Sequence, residues 1–300
     1  MTEQELQQAR RQKWRLDGRG MRTVEEAREF MESVGMCLLY PTKPAVLAPT
    51  FLGALAGTDE GLPTAKLAFA DARAHEAIEL MVRLLREKAA FEGSVFGEAG
   101  FLVSEAVFPY LYGAFGDKNP RQTPKPGAHS EYSPLARDAF EAIRTHGAMS
   151  KPRLRELLGG EPSAPALDRA LNELWSRLRI TRVDYTPEEG AKWDALYRWA
   201  PDRVRAGMHT SLPEALSALV SKYLEAVVAA EQSEVEEFFG HMVPKSRVKE
   251  AINALLAARE LSFVNVGKKS MVQVAQRREA FVAKARSAQR VSEWPRKHRS

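Results

Sequence analysis

The sequence predicts a mainly α protein with small β-hairpins, built as tandem helix-turn-helix domains, and three observations carry that prediction. Residues 133–204 read as three amphipathic helices followed by two short strands. The same order recurs over residues 211–275 at a constant offset of 81. A polar stretch with four prolines and two glycines, Gly116 to Pro134, separates these repeats from an N-terminal block over 23–115.

The repeat can be followed residue by residue. Ile143 matches Leu224, Leu154 matches Val235, and Leu157-Leu158 matches Phe238-Phe239. Leu167 then matches Val248, Leu171 matches Ile252, Leu174 matches Leu255, and Ile180 matches Leu261. The spacing slips only after Val183 and Val264, across a loop. In the first copy, LARDAFEAIRTHG buries Ala139, Phe140 and Ile143 along one helical face. Ser150 caps a short helix whose Pro152 occupies the permitted first turn. A third helix turns Leu167, Ala170, Leu171, Leu174 and Trp175 inward. ITRVDY and ALYRWA are expected as strands around the polar loop Thr186–Lys192. The second copy repeats this order and ends in LSFVNV and MVQVA, joined at Gly267-Lys268-Lys269-Ser270. Between the copies, Pro201–Pro213 reads as a lesser break.

The 23–115 block opens with the helix VEEAREFMESVG. Three prolines in YPTKPAVLAP end any helical continuation. HEAIELMVRLLREK is a long amphipathic helix, AAFEGSVFGEAGFLVS a hairpin turning near Gly97, and SEAVFPYLYGAF a closing helix. The aromatic residues Phe91, Phe96, Phe101, Phe108, Tyr110 and Tyr112 are expected in the core.

Composition narrows the function classes. The single Cys37, in the apolar context GMCLLY, excludes a disulfide framework or a multi-cysteine zinc site and is expected as a buried inert thiol. No apolar run reaches the ~18–20 residues of a membrane span, so a cytoplasmic protein is expected. The net charge of +5 is unevenly spread. Residues 1–22 carry six basic and three acidic side chains, and residues 276–300 carry eight and two. The 23–275 body is therefore net −4. The two ends read as a basic arm and a basic tail, suited to phosphates or to solubility alone. The segment 116–132 reads as the linker.

Three helices followed by a hairpin is the order of a winged helix-turn-helix, whose third helix enters the DNA major groove while the hairpin wing meets the backbone. The DNA-binding candidates follow from that order. Lys151 and Arg153 open the supporting helix of the first repeat, with Arg155 beside them, and Arg169 lies near the start of its third helix, with Asn172, Arg177 and Arg179 further along. Lys245, Arg247 and Lys249 crowd the start of the corresponding helix in the second repeat, and Lys268 and Lys269 mark its wing tip. Arg10, Arg11 and Lys13 represent the N-terminal arm. Double-stranded DNA is the expected partner, bound by a monomer without cofactor.

Catalytic patterns are sparse. His75 and Glu76 in AHEAIE lack the second histidine of a metalloprotease helix, and the six histidines are dispersed, so no metal is expected. No phosphate loop or dinucleotide glycine fingerprint occurs.

DRALNELWSRLRITRVD followed by YRWAPDRV, the segment LVSKYLEAVVAAEQSEVEEFFG with VKEAINALLAARELSFVNV after it, and KAAFEGSVFGEAGFLVSEAVFP resemble the AlkZ/YcaQ-like family. The founding members of that family are winged-helix DNA glycosylases acting on alkylation and crosslink damage. The resemblance covers most of residues 23–275 and implies three tandem winged helices around a DNA-binding concavity. Those glycosylases carry a glutamine, followed two residues later by glutamine or aspartate, on the loop after their first helix. Here that region reads Val34-Gly35-Met36-Cys37-Leu38-Leu39-Tyr40-Pro41. It contains neither group, so no catalytic residue is carried over and a non-catalytic DNA-binding protein is expected. A divergent glycosylase using Glu60, Asp71 or Glu76, and a protein-interaction scaffold, remain the alternatives.

Overall fold

The computed structural model describes residues 1–94, 100–125 and 132–275. The chain is mainly helical, with three small antiparallel sheets. After α1 (Glu3–Lys13), the first block runs α2 (Val24–Val34), β1 (Met36–Leu38), α3 (Phe51–Ala56) and a 3-10 turn over Ala65–Ala70. It continues through α4 (Ala72–Arg86), β2 (Ala90–Gly93), β3 (Phe101–Ser104) and α5 (Phe108–Phe115). β3 lies between β1 and β2, pairing Cys37 with Leu102 and Phe91 with Val103.

The second block comprises α6 (Pro134–His146), β4 (Met149–Ser150), α7 (Lys151–Leu157), α8 (Ala164–Trp175), β5 (Ile180–Thr186) and β6 (Gly190–Ala195). Its sheet order is β4-β6-β5, so both blocks follow the order helix, strand, helix, helix, strand, strand. The chain then forms α9 (Leu196–Trp199) and α10 (Pro201–His209). The third block has α11 (Leu212–Val227), α12 (Gln232–Gly240), α13 (Lys245–Ala257), β7 (Leu261–Val266) and β8 (Lys269–Val274). There a single bridge, Ala230 to Val272, stands where the second block has β4. The offset of 81 carries the start of α7 onto α12, of α8 onto α13 and of β5 onto β7.

Two expectations about this region are corrected. ALYRWA is not a strand: Gly190, at φ +72°, closes the hairpin early, so Gly190–Ala195 pairs with β5 and Leu196–Trp199 turns helical. Pro201–His209 is the helix α10 rather than a break. It lies on α5 at backbone contact: a Cβ on Gly207 would come within 2.6 Å of the Pro109 carbonyl oxygen.

The first and third blocks share one core. Phe91, Phe101, Phe108 and Tyr112 pack with Tyr223, Phe238 and Phe239, and the Phe101 and Phe238 rings are 6.4 Å apart. Tyr110 is half-buried, and Phe96, with the turn near Gly97, lies outside the described residues. The second block has its own core around Phe140, Ile143, Leu171, Leu174 and the edge-on pair Trp175–Trp193. Cys37 is buried beside Met31, and burial pushes its thiol up.

The N-terminal arm is corrected as well. Residues 3–13 form a capped helix, with Thr2 and Glu5 bonding reciprocally. Leu6 packs against Ala229, Val266 and Met271 of the third block, and Arg10 is buried. The 276–300 tail lies outside the described residues. Among the described residues, no helix is long and apolar enough to cross a membrane.

Candidate nucleic-acid interface and inter-block cleft

The candidate cations divide into paired, buried and free groups. On α7, Lys151 pairs with Asp168 at 2.7 Å and Arg153 with Glu156 at 2.8 Å. Arg155 donates to the Pro162 carbonyl. α8 starts at Ser163, whose hydroxyl accepts from the Ala166 amide, and Arg169 stands exposed in its first turns. Arg177 is exposed just past the helix end. On α13, Arg247 pairs with Glu250 at 3.0 Å, whereas Lys245 and Lys249 are exposed. That helix begins at Pro244 without a side-chain cap; the Arg247 amide donates to the Pro244 carbonyl at 2.9 Å, and the Lys245 and Ser246 amides are left without a capping side chain. Lys268 follows Gly267 at the tip of the β7–β8 hairpin, and Lys269 pairs with Glu231. Among the described residues, Arg169, Lys245, Lys249 and Lys268 are exposed cations without an ion-pair partner.

Arg10, Arg11, Lys13 and Arg179 are placed elsewhere than expected. Arg10 is enclosed, donating from Nε to the Val227 carbonyl at 3.0 Å and from Nη2 to Ala229 at 2.6 Å, so it cannot reach a phosphate. Arg11 lies exposed on α1, 3.9 Å from Asp59, and Lys13 is half-buried; burial, and after it the charge of Lys222, lowers its pKa. Arg179 is buried; it pairs with Asp117 at 2.7 Å and donates to the carbonyls of Asn119 and Gln122. It therefore pins the start of the 116–132 segment. Asn172 is also engaged, because Ser94 of the first block donates its hydroxyl to the Asn172 side-chain oxygen.

That bond belongs to a junction sequence reading did not reach. β2 of the first block meets β5 of the second, and Trp175 of α8 reaches the Glu92 backbone. There the Glu92 side chain, 1% exposed, stands 3.3 Å from the Arg182 guanidinium. Arg182 in turn lies over the Trp175 ring at 4.4 Å from its centroid. Trp175 Nε1 donates to the Glu92 carbonyl at 3.0 Å. Burial pushes the Glu92 carboxyl above the usual carboxylate range, with Arg182 pulling the other way. Among the described residues, Glu92 Oε2 and Arg182 Nε have no hydrogen-bond partner. Both residues line a cleft of about 590 Å³, with Leu39, Tyr40, Ile78 and Trp175 among its walls. Tyr40, Ala65, Ile78 and Arg182 also line an adjoining groove of about 760 Å³ that runs along α4 to Asp184 and Tyr185. Phe69, on that groove, is 76% exposed.

None of Glu60, Asp71 or Glu76 lines this cleft. Asp71 caps α4 and is bound by Arg73, whose side chain holds its carboxyl near 2. No group of three or more potential metal ligands occurs among the described residues.

The family described as DNA glycosylase AlkZ-like matches residues 52–296. The chain belongs to that family. A solved structure, the Streptomyces sahachiroi DNA glycosylase AlkZ, matches with a TM-score of 0.58 at 13% identity. That match covers 94% of this chain and 72% of the other, and at such identity the likeness is one of fold. No curated protein matches the chain. In this AlkZ-like chain, Met36–Leu38 forms β1, and Leu39 and Tyr40 after it line the cleft wall.

Proposed function

We propose that this chain is a duplex DNA-binding protein built of tandem winged helices, working as a cytoplasmic monomer without the hydrolytic loop of its family. The observation that carries this reading is the start of α13. Two unpaired lysines flank uncapped helix N–H groups there, with Lys268 on the hairpin of the same block. Phosphate oxygens suit such an end, because the helix dipole and free donors add to the lysine charge. Membership of the AlkZ-like family supports a DNA partner and a repair setting. Leu39 can neither deprotonate water nor hold it as a carboxamide does, which supports the non-catalytic part.

Glu92 favours a second reading, a divergent glycosylase, because a buried carboxylate with a raised pKa in a cleft is a frequent mark of acid–base chemistry. Incubation with duplexes carrying alkylated purines, followed by alkaline cleavage at abasic sites, separates the two. Binding without strand cleavage is the expected result. Cleavage that rises with protein concentration and disappears in Glu92→Gln establishes the second reading. Absence of duplex binding at low salt returns the chain to a protein-interaction scaffold.

A further inference from the structure

The geometry points to a phosphate-binding pocket where the segment 117–122 meets α10, with Lys118, Arg121 and Arg205 as its cations. The inference goes beyond the reading above. It concerns neither α13 nor the cleft at Glu92, and it stands whether or not α13 holds a duplex.

The segment 117–122 forms neither helix nor strand, yet it is fixed from inside. Buried Arg179 pairs with Asp117 and donates to the Asn119 and Gln122 carbonyls, while the Tyr112 hydroxyl donates to the Asp117 carbonyl at 2.8 Å. The Gln122 amide closes a turn on the Asn119 carbonyl at 3.1 Å. With the backbone held inward, Lys118 and Arg121 are exposed side chains on the wall of a pocket of about 360 Å³. Arg205 of α10 joins them, and Tyr197, Val204 and Met208 supply the less polar wall.

Among the described residues, three cations and no carboxylate line this pocket. Neither Lys118 nor Arg121 has an ion-pair partner among them. Arg121 instead lies over the Tyr197 ring, 5.9 Å from its centroid, which restrains its guanidinium. Arg205 pairs with Asp202 at 3.4 Å, but both side chains are well exposed, so that pair is worth little. Like charges gathered in one concavity repel, and an anion between them offsets that cost. A phosphate group suits the set, because its oxygens accept from a guanidinium fork and from an ammonium together. The volume falls within the range of about 300–1,000 Å³ common for small-ligand pockets, and Val204 and Met208 give the body of a phosphate ester an apolar surface. A free nucleotide and a duplex backbone both present this chemistry.

Calorimetric titration of the full chain at low salt with thymidine 5′-monophosphate, and with thymidine as the uncharged control, tests the pocket. The wild-type chain is expected to bind the nucleotide and not thymidine. Lys118→Ala and Arg121→Ala, with melting temperatures recorded, are each expected to weaken it by about fivefold to tenfold. Arg203→Ala is expected to leave it unchanged, since Arg203 lies on the same helix but pairs with Glu105 outside the pocket. A salt titration of duplex binding by the Lys118→Ala/Arg121→Ala double variant identifies the source: its log–log slope is expected to fall by about 1 if a backbone phosphate occupies the pocket.

Nucleotide binding weakened in both variants supports a free phosphate ester as occupant. A lowered slope without nucleotide binding supports the duplex backbone. Nucleotide binding unchanged in both variants is overall attraction and overturns the pocket. Absence of nucleotide binding, with an unchanged slope or with no duplex binding at all, overturns it as well. A chain that holds the nucleotide through Arg121 but binds no duplex overturns the DNA-binding reading alone.

Discussion

Arg10 Nη2 donates to the Ala229 carbonyl at 2.6 Å, so a residue from the chain's basic start closes the C-terminal end of α11. Val228, at φ +70°, ends that helix; the Val227 carbonyl accepts from the Ala229 amide as well as from Arg10 Nε, and the Ala229 carbonyl accepts from Arg10 Nη2. A guanidinium suits the site because the last carbonyls of a helix carry partial negative charge. Trp14 Nε1 reinforces it by donating to Ala226 at 2.7 Å.

Arg10→Ala is expected to lower unfolding free energy by about 2–3 kcal/mol, since two charge-assisted bonds to buried carbonyls are lost. Urea denaturation measures it. The salt dependence of DNA binding is expected to stay unchanged in the folded variant, because Arg10 faces protein.

Phosphate contact by α13 gives a second prediction. Lys245→Ala and Lys249→Ala are each expected to reduce the slope of log affinity against log salt by about 1, equally across DNA sequences. Arg169→Ala is expected to act similarly, whereas Lys151→Ala is expected to change the slope little, since Asp168 already holds that ammonium. Fluorescence anisotropy with two unrelated duplexes distinguishes these outcomes.

The shared core predicts coupled opening. Phe238→Ala, buried against Tyr223 and Phe101, is expected to cost about 3–5 kcal/mol. Hydrogen exchange is expected to show faster amides in β3 of the first block as well as in α13 of the third. Loss of protection confined to the third block contradicts the common core.

Glu141 supplies a pH signature. Its bond from Arg144, aided by Thr123, holds its carboxyl down near 2. A folded-state pKa below the unfolded one means that the stabilisation is present above the usual carboxylate range and is lost as pH falls through about 2. Because the side chain is 44% exposed, screening keeps the effect below about 1 kcal/mol. Melting temperatures of Glu141→Gln are expected to lie below wild type at neutral pH and to converge with it near pH 2.

What the sequence disclosed was periodic and local. The offset of 81 located α7, α8 and β5 and their copies, because apolar spacing within a helix is written in consecutive residues. The fate of Arg10 was written less openly: Leu6, Arg10 and Trp14 share one face of α1, but a count of charges conceals a face. Glu92 sat in AAFEGSVF as a lone acid in an apolar strand, a visible signal. Its partner Arg182 follows 90 residues later, and no local pattern joins them. Lys151 and Arg153 were legible as cations but not as cations already neutralised by Asp168 and Glu156.

The central claim is duplex binding by a few placed cations rather than by overall charge, and a salt titration of wild-type binding tests it most directly. Affinity for one duplex, measured from about 50 to 200 mM salt, is expected to fall with a log–log slope of about −3 to −4 if Arg169, Lys245, Lys249 and Lys268 each meet a phosphate. Absence of binding at about 50 mM salt, or binding that does not change across that range, contradicts it.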